Sequence, residues 1–210
     1  MKNINKVILT GTVVGTRAST RSFTMRIATD GGSMRGRNDN VSAYPEVVFS
    51  NVREAAEYKV GDRVTVQGHI SGRVTMFDGK RRHVMDVIGD KIEQTKRMLA
   101  SYIDIEPVYG GGYPDDKNIV VVVGSVDHVY TVGNNQFTSV TLTTVTGKTA
   151  TKNYVTALAF RRQGMAAKEL KPGDTVAIAG ALRTTNNKDV KIQSQSIVVL
   201  DIQKIEEKTE

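Results

Sequence analysis

Residues 59–68 read KVGDRVTVQG, and residues 171–180 read KPGDTVAIAG. The shared pattern, Lys-x-Gly-Asp-x-Val-x-x-x-Gly, recurs at an offset of 112 residues. Working outward, the segment from Asn5, NKVILTGTV, resembles the segment from Asn118, NIVVVVGSV, at an offset of 113, and Tyr44-Pro-Glu-Val-Val-Phe corresponds to Tyr154-Val-Thr-Ala-Leu-Ala at 110. Near-constant offsets imply a duplicated unit. A period above 100 residues is too long for a solenoid repeat, so each copy is expected to be a whole domain.

Within a copy the apolar residues alternate, as in Arg63-Val-Thr-Val-Gln, Ser139-Val-Thr-Leu-Thr and Thr175-Val-Ala-Ile-Ala. Period two is the mark of half-buried antiparallel strands. One helix-like stretch stands in each copy, residues 51–58 (NVREAAEY) and 163–170 (QGMAAKEL), after the third strand and before the Gly-Asp turn. Five strands with a helix between the third and fourth is the order of a small closed OB barrel, so the expected class is all-β, two tandem five-stranded OB-fold barrels with one short helix each. Gly11 and Gly124 interrupt β-branched first strands, where a missing side chain suits a bulge that bends the strand around a barrel corner. The expected division is an N-terminal domain over 1–93, a linker over 94–117 with three consecutive glycines and two prolines, a C-terminal domain over 118–203 and a charged tail over 204–210. The linker tyrosines Tyr102, Tyr109 and Tyr113 are expected to pack against a barrel.

Composition narrows the function. Lysine and arginine number 29 against 22 acidic residues, a net charge of +7 that favours polyanionic partners. The pI is near 9.6. The chain has no cysteine, which excludes disulfides and thiolate metal sites and fits a reducing cytoplasm. Its opening residues lack a signal-peptide core and its longest apolar run, Ile119 to Val123, is far short of a membrane span, so a cytoplasmic protein is expected. His69, His83 and His128 are scattered without ligand spacing, and the carboxylates form no acid/base cluster. Thr146-Gly147-Lys148-Thr149 looks like the end of a phosphate-binding loop, but Leu142 stands where the earlier glycine is required, and the segment reads as a turn. No catalytic residue, metal or cofactor is expected.

Five segments of the first copy carry a resemblance: residues 5–11 (NKVILTG), Ile27-Ala28-Thr29, Glu46-Val47-Val48-Phe49 with the aromatic Tyr44 before it, residues 54–62 (EAAEYKVGD) and residues 64–70 (VTVQGHI). In that order they resemble the opening, second and third strands, the helix with its following turn, and the fourth strand of the bacterial and phage-type single-stranded-DNA-binding proteins. The resemblance covers residues 5–93, and 118–202 more faintly through the repeat. It implies a non-enzymatic protein that coats and protects single-stranded DNA during replication, recombination or repair. Binding would run through base stacking and phosphate contacts, largely independent of sequence. The other reading is an accessory OB protein that binds RNA or acts through protein contacts in a replication complex.

Two departures stand out. Family members usually carry tryptophans on the DNA-facing surface; this chain has none, and Tyr44, Tyr154, Phe77 and Met34 stand at or near those places. The resemblance also implies replication or recombination proteins as partners, but the ending IEEKTE (205–210) lacks the acidic, aromatic-closed tip that recruits them. Relatives commonly bring four OB domains together. Two copies of a two-domain chain would reach that number, so a homodimer stands beside the monomer as an expected state.

The candidate binding residues follow from the need for a basic groove with aromatic faces. Asp78-Gly79 is a two-residue hairpin signal, and Arg73, Phe77, Lys80, Arg81 and Arg82 lie around it, an aromatic among cations. Met34, Arg35 and Arg37 lie in the loop after the second strand, and Tyr44 at the start of the third. In the second copy the parallel candidates are Tyr154, Arg161, Arg162 and Arg183, with Tyr130 and Phe137 secondary; its hairpin, read as Thr184–Lys188, carries no aromatic. Residues 1–93 carry 15 basic and 10 acidic groups and residues 118–210 carry 11 and 8, which makes the first barrel the expected stronger electrostatic binder.

Overall fold

The computed structural model describes residues 3–30, 42–77, 79–95, 116–133, 137–146, 151–187 and 192–205. The first copy contains β1 (Ile4–Ala18), β2 (Phe23–Asp30), β3 (Ser42–Ala43), β4 (Glu46–Phe49), α1 (Val52–Ala55), β5 (Arg63–Phe77) and β6 (Lys80–Gln94). The second contains β7 (Lys117–Val132), β8 (Phe137–Thr146), β9 (Thr151–Phe160), α2 (Arg161–Lys168), β10 (Thr175–Asn187) and β11 (Ile192–Lys204). Each copy closes on itself. β1 pairs with β2 and β5, β2 with β4, β5 with β6, and the circuit ends in a short parallel pairing of β4 with β6. The second copy repeats the circuit through β7, β8, β9, β11 and β10, with β9 and β11 parallel. Both are five-stranded OB barrels, the third strand of the first being split into β3 and β4 around Tyr44 and Pro45.

The Lys-x-Gly-Asp motif is a turn built the same way twice. Asp62 accepts a hydrogen bond from the Lys59 amide at 2.7 Å, and Asp174 one from the Lys171 amide at 2.8 Å. Gly61 and Gly173 hold φ of +97° and +92°, a left-handed conformation that costs glycine nothing, and their amides donate to the Val13 and Val126 carbonyls. Each turn thereby pins the first strand to the start of the fourth.

Gly11 and Gly124 do not themselves form the bulges expected of them. A Cβ on Gly11 would collide with the Ala28 carbonyl and one on Gly124 would crowd the Thr143 carbonyl, so glycine lets the second strand press close. The bulges come three residues later, where the register slips between Val13 and Gly15 and between Val126 and His128. The helices also differ in extent from expectation. α1 is a single turn capped by the Asn51 side chain, and α2 starts at Arg161, where the chain leaves β9 through a φ of 50°.

Leu9, Met25, Ile27 and Ile70 are fully buried in the first barrel, and Leu142, Ile178, Leu182 and Ile197 in the second. The barrels join edge to edge. β1 and β7 run antiparallel from Ile4↔Val123 to Thr10↔Lys117, and this seam links β6, β5, β1, β7, β10 and β11 into one antiparallel sheet. Two asparagines brace the seam: Asn5 exchanges hydrogen bonds of 2.8 and 2.9 Å with the Ile70 backbone, and Asn118 two of 2.8 Å with Leu182. Each amide side chain thus mimics a strand neighbour and satisfies buried backbone groups. A buried ion pair, Arg63 to Asp116 at 2.5 Å, ties the start of the second copy to the first barrel.

Candidate functional site

The long hairpins β5–β6 and β10–β11 reach across the molecule. Phe77 pairs with Lys80, a register that leaves two residues for the expected turn, and Gly79 holds φ +70°. Arg81 and Arg82 pair with Met76 and Thr75 farther down the arm. Arg73 is exposed and donates to Asp86 across the hairpin at 2.6 Å. Met34, Arg35 and Arg37 lie outside the described residues, as do most of the linker and residues 147–150. The second hairpin is longer than expected, with Asn187 paired to Ile192 and the connection falling at 188–191. Arg183 is exposed on β10 opposite Ser196.

Each hairpin seats on the other barrel. The Tyr44 amide donates to Thr184 Oγ1 at 3.1 Å, and the Gln195 side chain exchanges bonds of 3.0 and 3.1 Å with the Glu46 backbone. In the reciprocal contact Gly72 lies against the Tyr154 backbone, and the Thr156 amide donates to Met85 Sδ at 3.2 Å. The candidates therefore group across the copies: Tyr44 meets the strand that carries Arg183, and Tyr154 meets the strand that carries Arg73. Tyr154 is half-buried, with Lys152 Nζ 5.2 Å from its ring centroid. Arg161 and Arg162 are exposed at the start of α2, seven and eight residues along from Tyr154, more than roughly 20 Å at strand spacing, and do not join it.

The outer faces of the two three-stranded meanders occupy equal positions in the barrels and carry different chemistry. On β7–β8–β9 one row holds Val132, Phe137 and Phe160, with the two phenylalanine rings 5.5 Å apart. The next holds Tyr130, Ser139 and Leu158, Tyr130 being 63% exposed. The third is a hydrogen-bonded row, His128 Nε2 to Thr141 at 3.3 Å and Thr141 to Thr156 at 3.1 Å, with His128 Nδ1 also 3.0 Å from Asp127. On β1–β2–β4 the matching rows read Ser19, Ser22 and Ser50; Arg17, Thr24 and Val48; and Gly15, Arg26 and Glu46, with Arg26 bonded to Glu46 at 2.6 Å. Phe160 escaped the sequence reading, although the alternation Tyr154, Thr156, Leu158, Phe160 marks it as a residue of this face. Among the described residues no group of three or more His, Asp or Glu is placed to hold a metal, and no helix is long and apolar enough to cross a membrane.

The whole chain superposes on a solved structure of the single-stranded DNA binding protein from Thermus aquaticus, a deletion variant. The match covers 100% of this chain and 98% of that one at a TM-score of 0.70 and 16% identity. The chain shares the tandem OB fold of that protein. The wild-type Thermus aquaticus protein gives a TM-score of 0.68 over 100% of this chain and 97% of that one, also at 16% identity. The small single-stranded DNA binding protein from Mycoplasma pneumoniae covers 45% of this chain and 97% of its own length, with a TM-score of 0.35 and 20% identity. No protein-family model matches the chain, and no curated protein matches it in sequence.

Proposed function

We propose that the chain binds single-stranded DNA without strong sequence preference and serves as a coating protein in replication, recombination or repair rather than as an enzyme. The observation that carries this reading is the full-length match to a single-stranded DNA binding protein, both barrels included. The surface chemistry agrees with it. Exposed arginines and outward aromatics lie on barrel faces and hairpins, where OB folds take up oligonucleotides. Tyr44, Tyr154 and the β5–β6 hairpin with Arg73, Phe77, Lys80, Arg81 and Arg82 are the proposed principal contacts. Met34, Arg35, Arg37, Arg161, Arg162 and Arg183 are proposed as outlying phosphate contacts.

The division into domains over 1–93 and 118–203 belongs to the same proposal, as does a homodimer. The outer face of the six-stranded sheet carries Ile8 beside Ile119, and Val121 between Lys6 and Ala179, with Gln67 and Asp201 as polar flanks. Ile4 and Ile119 are 39% and 43% exposed there. A second copy packed on this face would cover the patch. Light scattering on DNA-free protein should give twice the chain mass of 22.9 kDa, and Ile119→Lys should return it to one chain.

A titration of labelled single strands, duplex and RNA of equal length at several salt concentrations tests the central reading. Single-stranded DNA should bind tightest, with affinity falling as salt rises through counterion release. Tighter binding to duplex, or a flat salt response, rejects it, and a preference for RNA transfers the role to the accessory reading.

A further inference from the structure

We infer that the two barrels divide the strand between them, the second stacking bases on Tyr130 and Phe160 while the first holds phosphates through Arg17 and Arg21. This rests on the single-strand-binding reading and adds to its contacts a division of labour between the outer faces of the two three-stranded meanders.

The bulges at Val14 and Asp127 turn the ends of β1 and β7 in the same way, so Arg17 and Tyr130 occupy equivalent positions on equivalent outer faces. Each pairs with a small hydroxyl residue, Thr24 or Ser139, and that residue pairs with an aliphatic one, Val48 or Leu158. The surroundings differ at the next row. Phe137 and Phe160 extend the surface beside Tyr130 into an apolar platform, and the row on its other side is the hydrogen-bonded one of His128, Thr141 and Thr156, with the Asp127 carboxylate beside His128. A base laid on this face meets rings and methyls, which stack with any base.

The first barrel has no ring on the matching rows. Its tight turn from Ser19 to Ser22, closed by hydrogen bonds of 2.8–3.3 Å, sets exposed Arg21 beyond exposed Arg17. Arg26 is committed to Glu46. This face therefore presents cations with no aromatic ring on its rows, a surface that favours phosphate. A strand crossing both barrels would be held by its bases on one and by its backbone on the other.

The decisive experiment compares a 20-nucleotide oligo(dT) with an abasic deoxyribose-phosphate oligomer of equal length, across salt, for wild type and exposed-residue variants. Tyr130→Ser should weaken oligo(dT) binding by about 5- to 150-fold, leave the salt slope unchanged and leave abasic binding as in wild type. Tyr130→Phe should restore oligo(dT) binding. Arg17→Ser with Arg21→Ser should weaken both oligomers alike and reduce the slope of log K against log salt by about 0.7 per arginine. Circular dichroism confirms that each variant is folded; all three altered positions are exposed. Wild-type oligo(dT) affinity in Tyr130→Ser, or a salt slope altered by that change, overturns the division while leaving the single-strand reading intact. Failure of the unaltered protein to bind oligo(dT) overturns both.

Discussion

The first barrel's hairpin rests on the second through a glycine and a thioether, whereas the second's hairpin rests on the first through a hydroxyl and a carboxamide. At equivalent points Gly72 faces the Tyr154 backbone where Thr184 accepts from Tyr44, and Met85 accepts from Thr156 where Gln195 clasps Glu46. One seat is made by close backbone approach and the other by side chains reaching across a gap. What the two share is the target: amides on the exposed edge of the third strand, which need partners wherever the hairpin covers them. Duplication preserved the need and let its chemical solution drift.

The largest difference between the copies is the buried Arg63–Asp116 pair, since the matching position on β10 is Thr175. Arg63→Ala removes the guanidinium from the Asp116 carboxylate, whose side chain has no exposure. The expected loss is about 3–5 kcal/mol, read as a lowered urea midpoint, while Thr175→Ala should cost below about 1 kcal/mol. Equal losses at the two positions would mean that the ion pair adds nothing beyond side-chain packing.

Next comes the glycine seat. A Cβ at position 72 has no space against the Tyr154 carbonyl, so Gly72→Ala must push the hairpin off β9, at about 1–3 kcal/mol. Thr184→Ala removes only one hydrogen bond at the sister seat and should cost about 1 kcal/mol. Calorimetric melting of the two variants ranks them, and the order should be lost if the hairpins are free to lift. Gln195 sharpens the contrast. Gln195→Ala removes both hydrogen bonds to the Glu46 backbone, about 1–2 kcal/mol, whereas Gln195→Met copies the sister seat and should recover part of that loss.

The repeat was legible in the sequence because its anchors are local. Lys59 to Asp62 and Lys171 to Asp174 close turns whose residue requirements fit within four positions, so they survive in recognisable form. Alternation was enough to find strands and count barrels. The outer faces were harder, for a geometric reason. Val7, Leu9 and Val13 point inward, and continuing that alternation would bury Arg17 and, in the second copy, Tyr130. The bulges at Val14 and Asp127 insert one residue and send both outward. The cross-barrel seats were illegible for another reason: they join residues about 140 positions apart, such as Tyr44 and Thr184, on elements that belong to different copies.

The smallest expected effect concerns the two copies of the Gly-Asp turn, which differ in one contact. Asp174 accepts from Lys204 at 2.8 Å as well as from the Lys171 amide, whereas Gln94 occupies the position on β6 that corresponds to Lys204. The hydrogen bond from Lys204, then the one from the Lys171 amide, hold the Asp174 carboxyl below its ordinary 3.8. A carboxyl lowered on folding stabilises the fold above its unfolded pKa, and the contribution disappears as pH falls through the folded value. Lys204→Gln makes the second turn like the first and removes the leading cause. Its melting temperature should therefore lie slightly below that of the parent protein at pH 6, and the two should converge as the pH drops below about 3. The pair is solvent-screened, so the gap should also narrow in high salt. A gap that stays constant from pH 6 to pH 2.5 would assign it to the packing of the Lys204 stem on the strand and not to the charge on Asp174.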